Sequence, residues 1–349
     1  MAMVHIYTSV NRPTAPLVSV CIANYNGMTV LSDCIASVQA QRGSASFEII
    51  IHDDASSDDS VTWVRQHYPN VELLASSENV GFCVANNRMV AHAHGDYILL
   101  LNNDAALYED ALDTLLDMAS KQQRPCIFSL PQYDWETGQL VDRGCLLDPF
   151  YNPVPNLSPT ITEVAMVIGA CMFLQRSLWN TLGGFPEWME SLAEDMYLCC
   201  AARLRGHPVL VATDSGYRHR QGASFGGNRV NAGRLQTTYR RRALSERNKT
   251  AVLLICTPGP LVWPLLVLHG CMLVCEGVAL ALLKRDAKLW RQIYGNVFVQ
   301  LLNHLTAWKD QRHDVQATRT IPASAYWRIF VGAPRKLKML IRHGLPDLR

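Results

Sequence analysis

Apolar and polar positions alternate in blocks over residues 17–225. Apolar runs at 17–23, 47–52, 71–75, 98–101, 126–130, 164–174 and 209–212 have strand length and end in polar residues. Between them the apolar residues recur at helical spacing. Val30, Leu31, Cys34, Ile35 and Val38 form one such set, and Val61, Val64 and Tyr68 another. Further helices are predicted over 82–90, 109–120, 178–182 (Ser177 as N-cap) and 194–204, the last stopped by Gly206. The acidic turn 53–59 can cap the helix that follows it. Strands alternating with helices predict an α/β domain with a mainly parallel sheet flanked by helices. Residues 1–16 are polar and read as an arm. Residues 143–162 have no clear period and hold four prolines, the pattern of a long loop or lid.

The pattern changes near Gly233. Residues 234–249 are strongly basic and include Arg240-Arg241-Arg242, whereas residues 251–283 carry a single formal charge, Glu276. The stretch 262–283 is long enough to cross a bilayer. Pro258, Pro260 and Pro264, with His269 and Glu276, argue instead for an interfacial or re-entrant helical hairpin. Residues 288–308 are amphipathic. In the tail Tyr326, Trp327 and Phe330 sit among Arg328, Arg335, Lys336, Lys338 and Arg342, the composition of a membrane-surface anchor. The same helices would also serve as a cap over the first domain or as a homodimer interface. The expected division is therefore an arm at 1–16, a catalytic domain at 17–232 and a helical, membrane-associating region at 233–349.

Charge sharpens this division. The net charge is only +2, but residues 1–217 hold 10 Lys/Arg against 24 Asp/Glu and residues 218–349 hold 22 against 6. A basic half calls for an anionic partner. Its apolar run disfavours nucleic acid and favours a membrane surface. The 11 cysteines are scattered, without CxxC pairs, as reduced and buried thiols would be. No basic n-region precedes an apolar h-region at the N-terminus, so the active part is expected on the cytoplasmic side.

The candidate chemistry begins where the run 98–101 ends in Asn102-Asn103-Asp104. Ligands of such sheets sit off the carboxyl ends of the strands. A carboxylate there, with amides beside it, suits a hard cation holding a phosphate. A plain polar turn with a helix cap would use the same residues. Other polar clusters occupy corresponding places: Ala23-Asn24-Tyr25-Asn26, Asp53-Asp54-Ala55-Ser56-Ser57-Asp58, Asn79-Val80-Gly81-Phe82 with Asn87, Gly183-Gly184-Phe185, Glu194-Asp195, and His219 with Gly222 and Ser224. In this order and spacing they resemble the inverting family 2 glycosyltransferases of the GT-A fold, over roughly residues 17–225. A weaker match lies at Glu246-Arg247-Asn248.

The resemblance implies roles. Backbone at Ala23 and Tyr25 would line the base pocket, with Asp54 accepting the ring N–H of uracil or thymine. Asn79, Gly81, Asn87, Asn102 and Asn103 would complete the donor site. Asp104 and His219 would hold Mn²⁺ or Mg²⁺ against the diphosphate. Asp195 would be the general base, with Glu194 orienting the acceptor or loop. Arg218 and Arg220 are candidates for phosphate contacts. Departures from the family pattern are Asn102 for the first Asp of Asp-x-Asp, Ala55 for Gly, and Tyr197 where some relatives carry a second Asp. The absence of a Gln-x-x-Arg-Trp element implies single addition rather than processive synthesis. The Asn-Asn-Asp sequence is similar to rhamnosyltransferase-like members. The implied reaction moves one sugar from a uridine or thymidine diphosphate donor to a polyprenyl-diphosphate-linked glycan, at the cytoplasmic face of the inner membrane, in bacterial surface polysaccharide synthesis. A nucleotidyltransferase would need a Gly-rich loop and Lys where Asn24-Tyr25-Asn26-Gly27 stands. A non-catalytic membrane scaffold would not need Asp104, Asp195 and His219.

Overall fold

The computed structural model describes residues 2–220, 229–231, 234–343 and 347–348. An eight-stranded mixed sheet forms the centre. Its strands are β1 (Val4–Tyr7), β2 (Val18–Asn24), β3 (Phe47–Asp53), β4 (Glu72–Ser76), β5 (Tyr97–Asn102), and three later ones. Their order is β1-β4-β3-β2-β5, continued by Cys171–Gln175, Ile127–Ser129 and Val209–Val211. The four strands β4-β3-β2-β5 run parallel. Strands β2 and β5 are apolar on consecutive residues because both faces are covered. Cys21 and Leu100 enter one core, while Val20, Ile22, Leu99 and Leu101 enter the other.

Helices α1 (Met28–Gln39), α2 (Ser60–His67), α3 (Phe82–His92) and α4 (Ala111–Ser120) follow the first strands, as the periodicity predicts. Residues 1–16 are not a free arm throughout. β1 pairs antiparallel with β4 and closes that edge of the sheet. The acidic turn works on two helices at once. Asp58 accepts the Ser60 N–H of α2 (3.1 Å) and the Met28 N–H of α1 (3.0 Å). Past Asn102 a second, four-stranded sheet opens: β6 (Ala105–Leu107) pairs with Tyr217–His219, which pairs with Gln132–Asp134, then Leu140–Asp142. The short helix α5 (Arg176–Leu182) starts after Gln175 rather than after Ser177.

Residues 143–162 are not a lid. They contain a small hairpin, Cys145–Leu147 with Pro153–Pro155, and a buried turn. Tyr151 in that turn is wholly buried and its hydroxyl lies 3.0 Å from both Thr257 Oγ1 and Tyr326 Oη. Asp148 accepts the N–H groups of Phe150, Asn152 and Arg335. This segment is the seat for the C-terminal region.

That region folds as α6 (Glu194–Leu204) packed on α7 (Tyr239–Cys256), followed by α8 (Val262–Lys284), α9 (Gly295–Ala317), α10 (Ala323–Trp327) and α11 (Arg335–His343). The composition shift near Gly233 marks no break in the core. Ala251 to Cys256 on α7 are wholly buried in the same cluster as Met172, Leu174 and Leu198. The apolar run 251–283 is thus split between a core segment and α8. All eleven cysteines are free and nine are buried, whereas Cys271 and Cys275 are exposed on α8, contrary to the expectation of buried thiols throughout.

Candidate active site

Three parallel strands end side by side, and their last residues are tied together. Asn24 at the end of β2 donates Nδ2 to Asp53 Oδ2 of β3 (2.8 Å), and its Oδ1 accepts Nδ2 of Asn103, past the end of β5 (2.8 Å). Asp53 also accepts both Ser56 N–H and Ser56 Oγ–H. Two amides and a carboxylate therefore spend their polar atoms on one another, which is what burial of such groups demands. Gly27 is required beside this chain, since a Cβ there would collide with Asn24 Oδ1 and Asn103 Nδ2. Asn103 and Asp53 act here as struts.

Asp54 is buried, with Oδ1 accepting the Val80 N–H (2.7 Å) and Oδ2 the Gly81 N–H (2.9 Å). It joins the β3 end to the turn that starts α3. Burial raises its pKa while those two N–H groups lower it, with burial the larger effect. Ala23, exposed Tyr25 and exposed Asn79 lie on the same rim. Asn87 meets a different geometry from the one expected. Its amide is spent on the Phe185 backbone, donating to the carbonyl (2.9 Å) and accepting the N–H (3.0 Å). It holds the Gly184-Phe185 turn, whose Gly184 sits at φ +69° against Asn87 Oδ1.

Across the strand ends, His219 Nε2 lies 3.0 Å from Asp104 Oδ1, and both are buried. β6 and Tyr217–His219 are antiparallel neighbours, with His219 opposite Ala105, which places the histidine beside Asp104. His219 Nδ1 is 3.1 Å from Gln132 Oε1, which can only accept. A proton on Nδ1 would satisfy Gln132 and leave the Nε2 lone pair toward the Asp104 carboxylate, the arrangement a metal-binding histidine requires. Asn102 Nδ2 also points at Nε2, at 3.4 Å. In that tautomer the imidazole nitrogen and the carboxylate oxygen could both serve one cation. The pair fits a divalent metal whose remaining ligands come from elsewhere. Among the described residues no group of three His, Cys, Asp or Glu side chains gathers as a complete metal cage. Arg220 donates its backbone N–H to Asp104 O (3.1 Å), while its guanidinium pairs with Asp33 (2.6 Å) and covers the Trp135 ring at 3.7 Å. Arg218 is exposed on the opposite side of its strand. Gly222 and Ser224 lie outside the described residues.

Asp195 begins α6 and is bound by backbone. Its Oδ2 accepts the Gly169 N–H (3.1 Å) and its Oδ1 the Met196 N–H (2.7 Å). The next residue, Ala170, accepts the Asn102 N–H (3.1 Å). One dipeptide thus links the Asp195 carboxylate to the turn carrying Asp104. Burial raises the Asp195 pKa. Glu194 is raised more strongly, by burial and by the Asp195 charge, with Arg241 of α7 acting against the rise. Glu194 Oε2 is buried and has no hydrogen-bond partner among the described residues.

The loop before α6 was not legible as strained. Glu190 (φ 62°), Leu192 (φ 74°) and Ala193 (φ 66°) are all left-handed without being glycine. Each costs on the order of 1 kcal/mol or more, so the surroundings must impose the shape. Arg247 and Asn248, which the motif reading touched only weakly, supply that restraint from α7.

Residues 19–182 match the family described as Glycosyl transferase family 2. These residues form a family 2 glycosyltransferase domain. The match and the GT-A-like arrangement of sheet and helices agree. The chain is 31% identical over 189 residues to a chondroitin synthase of Escherichia coli, covering 52% of this chain and 26% of that one. It is 27% identical over 180 residues to N-acetylglucosaminyl-diphospho-decaprenol L-rhamnosyltransferase of Mycobacterium tuberculosis, covering 43% and 59%. The chain thus spans less than two thirds of either relative. Among solved structures, S. aureus TarS 1–349 in complex with UDP-GlcNAc superposes with a TM-score of 0.54 at 16% identity, covering 86% of this chain and 90% of that one. That likeness is one of fold, and at 86% of the chain it reaches beyond residues 19–182.

Proposed function

We propose that this chain transfers one sugar, with inversion at the anomeric carbon, from a nucleoside-diphosphate sugar to a hydroxyl of a lipid-linked glycan. The observation that carries the reading is the Gly169-Ala170 link, which holds a carboxylate with a raised pKa beside the turn bearing the Asp104–His219 pair. Asp195 takes the proton of the acceptor hydroxyl as its oxygen bonds to the anomeric carbon. The bond from that carbon to the diphosphate breaks on the opposite side, and its electron pair leaves with the diphosphate. Glu194, protonated through burial, orients the acceptor or the loop.

On the donor side, the backbone of Ala23 and Tyr25 with Asp54 forms the base pocket. Each Asp54 oxygen has accepted one backbone N–H and keeps a lone pair for a uracil or thymine N3–H. Asn79, Gly81 and Asn102 line the path from base to diphosphate. Asp104 and His219 would hold Mn²⁺ or Mg²⁺, which when bound neutralises charge on the leaving diphosphate. The M. tuberculosis relative, by its name, acts on a lipid-linked acceptor and transfers rhamnose. With the Asn102-Asn103-Asp104 sequence, this favours rhamnose from a thymidine diphosphate donor, in bacterial surface polysaccharide synthesis.

Such an acceptor needs the protein at a membrane. α8 is 23 residues long and apolar enough to cross a membrane, and only 22% of its most apolar window is buried. Its buried stripe, including Leu273 and Leu280, faces the protein. Trp263, Val267, Leu268, Val278, Leu282 and Leu283 are exposed. The polar residues inside α8 face the protein too: His269 bonds Thr250 Oγ1 (2.9 Å), and Glu276 pairs with Arg242 and Lys336. A helix with its polar residues held inward lies along the cytoplasmic face of the membrane rather than through it.

The test is turnover of UDP- and dTDP-sugars by the purified chain with a polyprenyl-diphosphate GlcNAc acceptor, with the product anomer read by NMR. Inversion is expected. Retention of configuration would contradict the reading.

A further inference from the structure

The loop 187–193 fixes where Glu194 and Asp195 project, because Ala193 is the residue that caps α6. Its left-handed residues Glu190, Leu192 and Ala193 hold only if something outside the loop imposes them. One side chain reaches three of its carbonyls. Asn248 of α7, wholly buried, shares its two amide hydrogens among Met189 O (2.9 Å), Ser191 O (3.0 Å) and Leu192 O (2.7 Å). Arg247 fixes the amide the right way round, its Nε donating to Asn248 Oδ1 (2.9 Å). The rest of its guanidinium bonds Trp188 O and Met189 O (both 3.1 Å) and the Glu190 carboxylate (3.1 Å). The far side of the loop is held by α3, where the Cys83 N–H donates to Glu190 O (3.1 Å). α7 has its own anchorage in the core through Ala251 to Cys256. The product of these contacts is a fixed loop.

We infer that Asn248, oriented by Arg247, is a positioning residue for the base: it holds the loop in the one shape that aims the Asp195 carboxylate at the acceptor. The inference rests on Asp195 being that base. Three backbone carbonyls converging on one amide leave no neutral alternative of the same size, since an aspartate would face three acceptors with a fourth. α7 also runs on toward α8, so the helix that meets the membrane surface and the helix that aligns the base are consecutive.

The experiment compares the full chain with Asn248→Ala and Arg247→Lys, together with Asp195→Asn as the reference. UDP and dTDP binding is measured by calorimetry, and sugar-donor turnover by nucleoside diphosphate release. The expected result is a fall in kcat of tenfold or more for Asn248→Ala, with nucleotide Kd within twofold of the parent. Arg247→Lys, which keeps the charge but loses the fork, should show a smaller fall of the same kind and serves if Asn248→Ala does not fold. Unchanged kcat in the folded variants overturns the inference. So does a loss of nucleotide binding in step with kcat, which would make the two residues general supports of the fold. Full turnover by Asp195→Asn would instead remove the base assignment itself, a failure separate from that of Asn248.

Discussion

His219 Nε2 and Asp104 Oδ1 stand 3.0 Å apart although 115 residues separate them in the chain. Behind the ring, Gln132 Oε1 lies 3.1 Å from Nδ1 and also accepts the Tyr217 hydroxyl (2.9 Å). Gln132→Leu removes the ring's partner at Nδ1 while filling similar space. We expect the Mn²⁺ concentration for half-maximal turnover to rise by roughly 10- to 100-fold, the usual penalty for losing an outer partner of a metal-binding histidine. A metal titration showing no change would detach Gln132 from the site.

Asp195 governs the pH profile. Burial pushes its pKa up to about 6, and as a base it works only when deprotonated. Turnover should fall as pH drops through that value and level off above it. An acid limb near 4, the range of an exposed carboxylate, would show the group in solvent rather than under the loop.

Glu194 has a consequence for stability. Its folded-state pKa is raised above its ordinary value, so the folded chain binds that proton more tightly than the unfolded chain does. Its contribution therefore falls as pH rises from the ordinary carboxylate range toward the raised value. Glu194→Gln should raise Tm at pH 8 by roughly 2 °C for each 1 kcal/mol relieved, with little change at pH 5. Equal shifts at both pH values would contradict this.

Glu246 is the opposite case. Burial alone would raise its pKa, but Lys249, Lys336 and Arg242, at 3.1, 2.8 and 3.1 Å, hold it well below the carboxylate range. Its stabilisation is present above the unfolded pKa and is lost as pH falls through the lower, folded one. Removing one partner of such a buried cluster leaves charges unpaired, so Glu246→Ala should cost about 3–5 kcal/mol at pH 7. Chemical denaturation of the variant measures it.

The order of the main strands and helices was legible because central strands such as β2 and β5 are buried on both faces and read as apolar runs. β1 was missed because it is a four-residue edge strand with exposed His5 and Ile6. The hairpin in residues 143–162 was missed because its strands are three residues long and one is Pro-Val-Pro. Motif order pointed to Asp104, His219 and Asp195, all at the ends of elements. It could not show that Asn87 and Asn103 spend their amides on backbone and on Asn24, since those partners lie far away in sequence. Arg247 and Asn248 carried a weak signal for the same reason.

The exposed apolar face of α8 can be charged directly. Val267→Asp with Leu282→Asp places two carboxylates on the exposed stripe of α8 and touches none of its buried residues. Sedimentation with vesicles containing anionic lipid should fall from most of the protein to a minor fraction, with Tm unchanged. Undiminished binding would move the contact elsewhere on the chain.

The most direct test of the account sets binding against turnover in Asp195→Asn and Asp104→Ala. Each purified variant is assayed for UDP and dTDP binding and for nucleoside diphosphate release from the matching sugar donor. Asp195→Asn should bind nucleotide as the parent does and turn over at least about 10²-fold more slowly, the lower range for loss of a general base. Asp104→Ala should lose metal-dependent binding as well. Turnover by Asp195→Asn at the parental rate would contradict the central claim, that this carboxylate activates the acceptor.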